Sequence, residues 1–284
     1  LGDPAGIGPE IIAAALKSGR LNPACQYRVL GSALDAIPGQ PTEATARAAL
    51  ATLEESARLA RAGEIAAVVT GPIHKARMQS IGFDFPGQTE FFAHRSRRDN
   101  FAMCLTGGAL TVALVTVHVP LRTVAESLSA SEIIRVGLLL ADFLRQRLRR
   151  VPRLAVAGLN PHAGESGAFG REEIEIIEPA VALLRGELGD RAECSGPHSP
   201  DTVFHRAAQG EFDGVLCMYH DQGLIPLKLH AFDAGVNVTL GLPFPRTSPD
   251  HGTAFEIAGR GMARPDSMIA AINLAAELVR QPHP

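Results

Sequence analysis

Cysteine is scarce and its spacing is uninformative: Cys25, Cys104, Cys194 and Cys217 include no CxxC pair. That excludes a disulfide framework or a cysteine-rich zinc knuckle and points to a reducing cytoplasm. Charge of one sign is also missing. The 27 basic and 30 acidic side chains leave a net of −3, which gives no support to a nucleic-acid groove or a polybasic membrane surface. The longest apolar run, residues 136–144, is broken by Asp142 and is far too short to span a bilayer. The chain opens LGDPAGIGPE, with neither a basic n-region nor an apolar h-region, so a cytoplasmic protein is expected. It lacks an initiator Met, and a few further residues are expected upstream. Internal repeats, HExxH, GxGxxG and GxxxxGKS/T are all absent, so no metalloprotease or nucleotide-binding signature is available.

What is present is an ordinary globular composition, 46% hydrophobic and 20% charged over 284 residues. A chain of this length buries roughly three quarters of its unfolded surface. Helical patterns cover residues 9–17, 42–61, 171–185 and 265–280, and Ser129 with Glu132 spells a capping box before a helix to about residue 149. Strand patterns cover 27–30, 65–70, 154–159, 214–219 and 236–242, with 101–105 and 110–117 forming a hairpin across Gly107 and Gly108. This alternation predicts an α/β fold with a mixed, largely parallel sheet. The expected arrangement is one two-lobed catalytic unit, the outer lobe built from both termini and the central lobe from roughly residues 100–220.

Chemistry in such folds collects beyond the carboxyl ends of strands. Three of the ten histidines follow apolar strands: His118, His162 and His220, separated by 44 and 58 residues. Three imidazoles with open positions would suit a catalytic metal, while strand-capping hydrogen bonds explain each one singly. Asp221 is placed to orient an imidazole. Lys75, Lys228 and Arg246 form a possible set for a phosphate or carboxylate, with ordinary surface charge as the alternative. Asp201 reads as a helix N-cap, and Cys217 as core. The loops 2–10 and 247–253 are rich in glycine and polar residues, and neither decides a ligand.

The strings GDPAGIGPE, VTGPIHK, GLNPHAGE, MYHDQGLIPLK and GVNVTLGLPFPRTSPDHGTAFEIAGRG resemble the 4-hydroxythreonine-4-phosphate dehydrogenase family. The resemblance runs from Gly2 to the last helix. It implies an α/β/α fold akin to isocitrate and isopropylmalate dehydrogenases and a homodimer whose active site is shared between subunits. It further implies a nicotinamide cofactor (NAD or NADP), a divalent metal such as Zn, Co or Mg, and a role in pyridoxal phosphate biosynthesis. Carried over by motif, the metal ligands are His118, His162 and His220, from both subunits. Substrate-binding positions are Gln88, Thr89, Lys228, Asn237 and Arg246, and Lys228 and Asp201 are candidates for proton transfer.

The implied reaction oxidises C3 of 4-phosphooxy-L-threonine and then releases carbon dioxide. The same chemistry on threonate 4-phosphate or a cis-dihydrodiol carboxylate is the nearest alternative, followed by a three-histidine metal hydrolase. A non-catalytic binding module is a more distant one. Two departures stand out: Gln88 occupies a position where many members have His, and the stretch between Gly31 and Ile65 is short by several tens of residues.

Overall fold

The computed structural model describes residues 1–33 and 35–279. In chain order the helices and strands are α1 (Gly8–Lys17), α2 (Glu43–Arg61), β1 (Val68–Val69), α3 (Lys75–Ser80), α4 (Gln88–Arg95), β2 (Ala102–Gly107), β3 (Leu110–Leu114), α5 (Val124–Ser127), α6 (Ala130–Leu148), β4 (Arg153–Ala157), α7 (Glu178–Leu188), β5 (Glu193–His198), α8 (Pro200–Ala208), β6 (Gly214–Cys217), α9 (His220–Ala231), β7 (Val236–Leu240), β8 (Arg246–Pro249) and α10 (Asp266–Val279). Residue 280, expected to end the last helix, lies outside the described residues. The described residues divide into two compact units, one formed by residues 1–99 together with 236–279, the other by Asn100–Gly235.

In the first unit β1 pairs parallel with β8, which pairs antiparallel with β7. Helix α2 begins where Thr42 Oγ1 accepts from the Thr45 amide and Thr45 Oγ1 accepts from the Thr42 amide, a reciprocal cap that satisfies two groups at the helix entry. Its buried alanines and Leu53 face Phe83, Phe91 and Phe92 in one apolar cluster, and α1 meets α10 in another built on Ile11, Met268 and Ile272. The strand expected at residues 65–70 forms only at Val68 and Val69. The strand expected at 27–30 does not form. Its apolar pattern is suitable, but it pairs with no strand among the described residues. A groove of about 650 Å³ is lined by both segments, including Tyr27, Val29 and Val69.

The second unit orders its strands β2-β3-β6-β4-β5. The β2–β3 hairpin is antiparallel, and the other pairings are parallel. Both faces of β3 and β6 are buried, which explains their continuous apolar sequence. The core holds Leu105, Val112, Val203, Val215, Cys217 and Leu227. At the start of α6 only half of the expected capping box appears. Ser129 Oγ accepts from the Glu132 amide, but the Glu132 carboxylate turns to Arg135 at 2.7 Å. No helix among the described residues is long and apolar enough to cross a membrane.

Candidate functional site

In the second unit the chain beyond β3 stays zipped to the chain beyond β6. The Val115 and Thr116 amides donate to the Cys217 and Met218 carbonyls at 2.9 and 3.1 Å, and Thr116 Oγ1 donates to the Met218 carbonyl at 2.8 Å. This carries two histidines to neighbouring strand ends, and the His118 and His220 rings lie 5.7 Å apart. Two imidazoles on one zinc-like ion, each with N about 2.1 Å from it, have ring centres separated by a similar distance, roughly 5–6 Å. His220 Nδ1 lies 2.7 Å from Asp221 Oδ1. A carboxylate only accepts, so the proton sits on Nδ1 and Nε2 keeps a lone pair for a metal. The donor chemistry therefore fits a divalent ion.

His162 lies elsewhere, its ring 6.1 Å from Phe169. It begins a run in which His162, Ala163, Gly164, Glu165 and Ser166 all have φ between 45° and 79°. Left-handed backbone costs a non-glycine residue roughly 1–2 kcal/mol, so four such residues in series need firm anchoring. Two buried side chains provide it. Glu173, 1% exposed, accepts from the Leu159 and Asn160 amides at 2.7 and 2.8 Å. Gln222 donates to the Gly158 carbonyl at 2.7 Å and accepts from the Met218 amide at 2.7 Å. Gln222 thus ties the loop bearing His162 to the strand end bearing His220. Among the described residues, no group of three or more His, Cys, Asp or Glu is placed to hold a metal within one chain. The structure brings His118 and His220 together and leaves His162 apart.

Asp201 is exposed in the first turn of α8, and Ser199, not Asp201, is the N-cap residue. Pro200, suited to the first helical position by its fixed φ, moves the boundary two residues earlier than the pattern predicts. Ser199 Oγ donates to Asp201 Oδ1 at 2.6 Å. Lys228 is half-buried on α9. It lies two helical turns beyond Asp221 on the same face, about 10 Å along the axis. Cys217 is fully buried, and burial pushes its thiol far up, which confirms a core residue and not a nucleophile.

In the first unit the centre is Arg246, 2% exposed at the start of β8. Its Nη2 donates to Thr70 Oγ1 at 2.7 Å and Gln88 Oε1 at 3.0 Å, and Nη1 donates to Thr239 Oγ1 at 3.3 Å. The guanidinium carbon stands 5.6 Å from the centre of the Phe92 ring. Nε is buried without a hydrogen-bond partner among the described residues. Among the described residues its hydrogen-bond partners are all neutral oxygens. Burial pushes the pKa down to about 10, so the group is still a cation at neutral pH. The Glu90 carboxylate offsets part of that burial through its charge but makes no hydrogen bond to the guanidinium among those described, and a buried charge hydrogen-bonded only to hydroxyls and an amide favours an anion that completes it.

Gln88 Nε2 donates to the Gly71 carbonyl at 3.1 Å, and Thr89 Oγ1 lies 3.4 Å from Thr239 Oγ1. Asn237 precedes Thr239 by two on β7 and so shares its face, and its Oδ1 is buried without a hydrogen-bond partner among the described residues. The structure thus gathers Gln88, Thr89, Asn237 and Arg246. Lys75 is exposed at the start of α3. Sequence reasoning missed Thr70, Thr239, Glu173 and Gln222. Strand alternation from Asn237 could have found Thr239. The two ambiguous loops also meet, since the Ile7 amide donates to the Thr253 carbonyl at 2.9 Å.

The chain matches the model of the Pyridoxal phosphate biosynthetic protein PdxA over residues 12–275. The 4-hydroxythreonine-4-phosphate dehydrogenase of Caulobacter vibrioides is 45% identical over 321 aligned positions, covering 98% of this chain and 95% of the relative. An alignment longer than the 284-residue chain means that the relative carries residues absent here. The solved 4-hydroxythreonine-4-phosphate dehydrogenase of Klebsiella pneumoniae superposes with a TM-score of 0.82 at 38% identity, covering 98% of this chain and 97% of that one. A β-decarboxylating dehydrogenase of Thermococcus kodakarensis shares the fold, with a TM-score of 0.54 at 17% identity over 99% of this chain and 82% of its own. The mixed α/β architecture, the ungapped motifs and matches over nearly the whole length agree: this chain belongs to the PdxA family of pyridoxal phosphate biosynthetic proteins.

Proposed function

We propose that this chain is a cytoplasmic, nicotinamide-dependent dehydrogenase that oxidises 4-phosphooxy-L-threonine at C3, then releases carbon dioxide to leave 3-amino-2-oxopropyl phosphate. The observation carrying this reading is Arg246, a buried cation that among the described residues has an unpartnered Nε and no carboxylate among its hydrogen-bond partners. Such a group favours a phosphate or carboxylate over a neutral ligand. Gln88, Thr89 and Asn237 fix the orientation of that anion. The relatives named above as 4-hydroxythreonine-4-phosphate dehydrogenases point to the substrate.

His118 and His220 would hold a divalent ion, with His162 supplied by a second copy of the chain. A zinc, cobalt or magnesium ion there would supply Lewis acidity at the substrate oxygen, while NAD or NADP would accept hydride from C3. The chain's own part is binding, orientation and proton movement. Asp221 holds the His220 tautomer. Lys228 and Asp201 move the proton that leaves the C3 hydroxyl and the one that reaches carbon after the carbon dioxide bond breaks. Residues 225, 229 and 232 support a homodimer, because Ile225, Leu229 and Phe232 are 65%, 89% and 73% exposed at helical spacing. Four free thiols suit a reducing cytoplasm.

The test is NADH absorbance with purified protein, NAD, a divalent metal and either 4-phosphooxy-L-threonine or threonate 4-phosphate. Metal-dependent NADH from the phosphothreonine, lost in His162→Ala, is expected. NADH from threonate 4-phosphate alone would change the substrate, and NADH from neither would overturn the proposal.

A further inference from the structure

We propose that Glu173 is a positioning residue for His162, fixing the entry to the left-handed turn that presents the imidazole. The inference rests on the reading of His162 as a metal ligand and concerns a residue that never touches the metal. Its carboxylate is 1% exposed, and no cation lies within ion-pair distance among the described residues. What it has instead is a set of amide donors from the loop. Oε1 accepts from the Leu159 and Asn160 backbone amides at 2.7 and 2.8 Å, and Oε2 accepts from Asn160 Nδ2 at 2.9 Å. Asn160 Nδ2 also donates to Glu172 Oε2 at 2.7 Å. His162 follows two residues later.

The surroundings are shaped around this carboxylate. A Cβ at Gly164 would lie 2.6 Å from Glu173 Oε2, and one at Gly158 would lie 3.1 Å from Oε1. Glycine at 164 therefore serves twice, since its φ of +79° also belongs to the left-handed run. Glu173 opens a π-helical turn, Glu173–Ile177, in which the Glu178 amide bonds back to the Glu173 carbonyl. Such turns recur at functional sites. A glutamate used only for solubility would not be buried there, and one used only for stability would not need to bind the residues preceding a ligand.

Cobalt(II) titration, followed by its visible absorption, separates positioning from bulk stability. In Glu173→Gln the amide oxygen still accepts from two backbone amides, but its NH₂ faces the NH₂ of Asn160, a donor against a donor. The expected result is a folded protein whose cobalt dissociation constant rises about tenfold or more, with an altered absorption band. Inorganic phosphate binding in the first unit should be unchanged. A folded Glu173→Gln with wild-type cobalt affinity and spectrum, alongside a His162→Ala variant that loses cobalt, overturns this proposal and leaves the metal reading intact. Equal weakening of cobalt and phosphate would also overturn it, as general loosening. If His162→Ala binds cobalt as the wild type does, the metal reading falls and this one with it. Should Glu173→Gln fail to fold, Glu173→Asp, which keeps the charge and withdraws it by one methylene, is read in the same way.

Discussion

Gln88 accepts a hydrogen bond from the Arg246 guanidinium at 3.0 Å and donates its own amide to the Gly71 carbonyl at 3.1 Å. Both ends of the glutamine are thus engaged in holding a buried cation in place without neutralising it. Arg246→Met should abolish the rise in melting temperature that inorganic phosphate gives the wild type. A ligand at a hundred times its dissociation constant stabilises by about 2.7 kcal/mol. In phosphate-free buffer the variant exchanges a buried charge for apolar volume but strips Gln88 Oε1 of its donor, so each protein is compared with its own phosphate-free melt. Thermal melts with and without phosphate decide this.

Gln88→Glu makes the complementary change. A carboxylate beside Nη2 would neutralise Arg246 internally and compete with any incoming anion. Phosphate affinity should fall by more than tenfold, about 1.4 kcal/mol, as measured by isothermal titration calorimetry. Unchanged affinity would show that the anion is held elsewhere.

How much of this was legible depended on range. His118 and His220 are readable because each follows an apolar run, and the end of a buried strand is where an α/β fold places chemistry. Helix α2 is readable from its run of Ala, Leu, Glu and Arg, and the β2–β3 hairpin from the Gly107–Gly108 turn. Glu173 is not, because a glutamate in EEIEIIE looks like a helix surface and only a π turn carries it inward. Residues 27–30 show the opposite failure: the apolar pattern is right for a strand, but pairing is a tertiary property that the pattern does not contain. Arg246 is visible as a cation. Its burial among Thr70, Thr239 and Gln88 is not, since these come from three separate segments.

Asp221 should matter through the imidazole beside it. With Asp221→Ala, His220 loses the acceptor that holds its proton on Nδ1, and the tautomer presenting Nε2 is no longer favoured. Cobalt affinity is expected to fall about 10–100-fold, the usual effect of removing such a partner. Asp221→Asn, which retains a carbonyl acceptor, should fall between this variant and wild type.

The four thiols should separate by burial. Cys104 and Cys217 are fully buried, and burial pushes the Cys104 thiol up to about 12 and Cys217 higher still. Cys194 is half-buried and is raised to about 11, while Cys25 is half-buried. Thiolate is the reactive form. Titration with a disulfide reagent should therefore modify Cys25 first and Cys194 slowly, leaving two thiols silent until denaturant is added. Rapid reaction of all four in the native protein would contradict the buried core.

Acid should destabilise the second unit through His198. Its Nδ1 faces Arg206 Nη1 at 3.2 Å and its Nε2 faces Ser195 Oγ at 2.8 Å. An arginine only donates, so Nδ1 accepts and Nε2 carries the proton toward the serine, which leaves the ring no lone pair with which to activate Ser195. Burial first, and then the Arg206 charge, hold the pKa below the ordinary 6.5, against a smaller opposite pull from Glu211. The folded state therefore binds this proton less readily than the unfolded chain. Stability is full above pH 6.5 and is lost as the pH falls below that value. His251, also held low by burial in the first unit, adds in the same direction. His198→Gln should flatten the acid side of the melting-temperature profile while keeping a donor and an acceptor, and adding His251→Gln should flatten it further. A profile with the wild-type slope in the double variant would assign the acid sensitivity to the carboxylates instead.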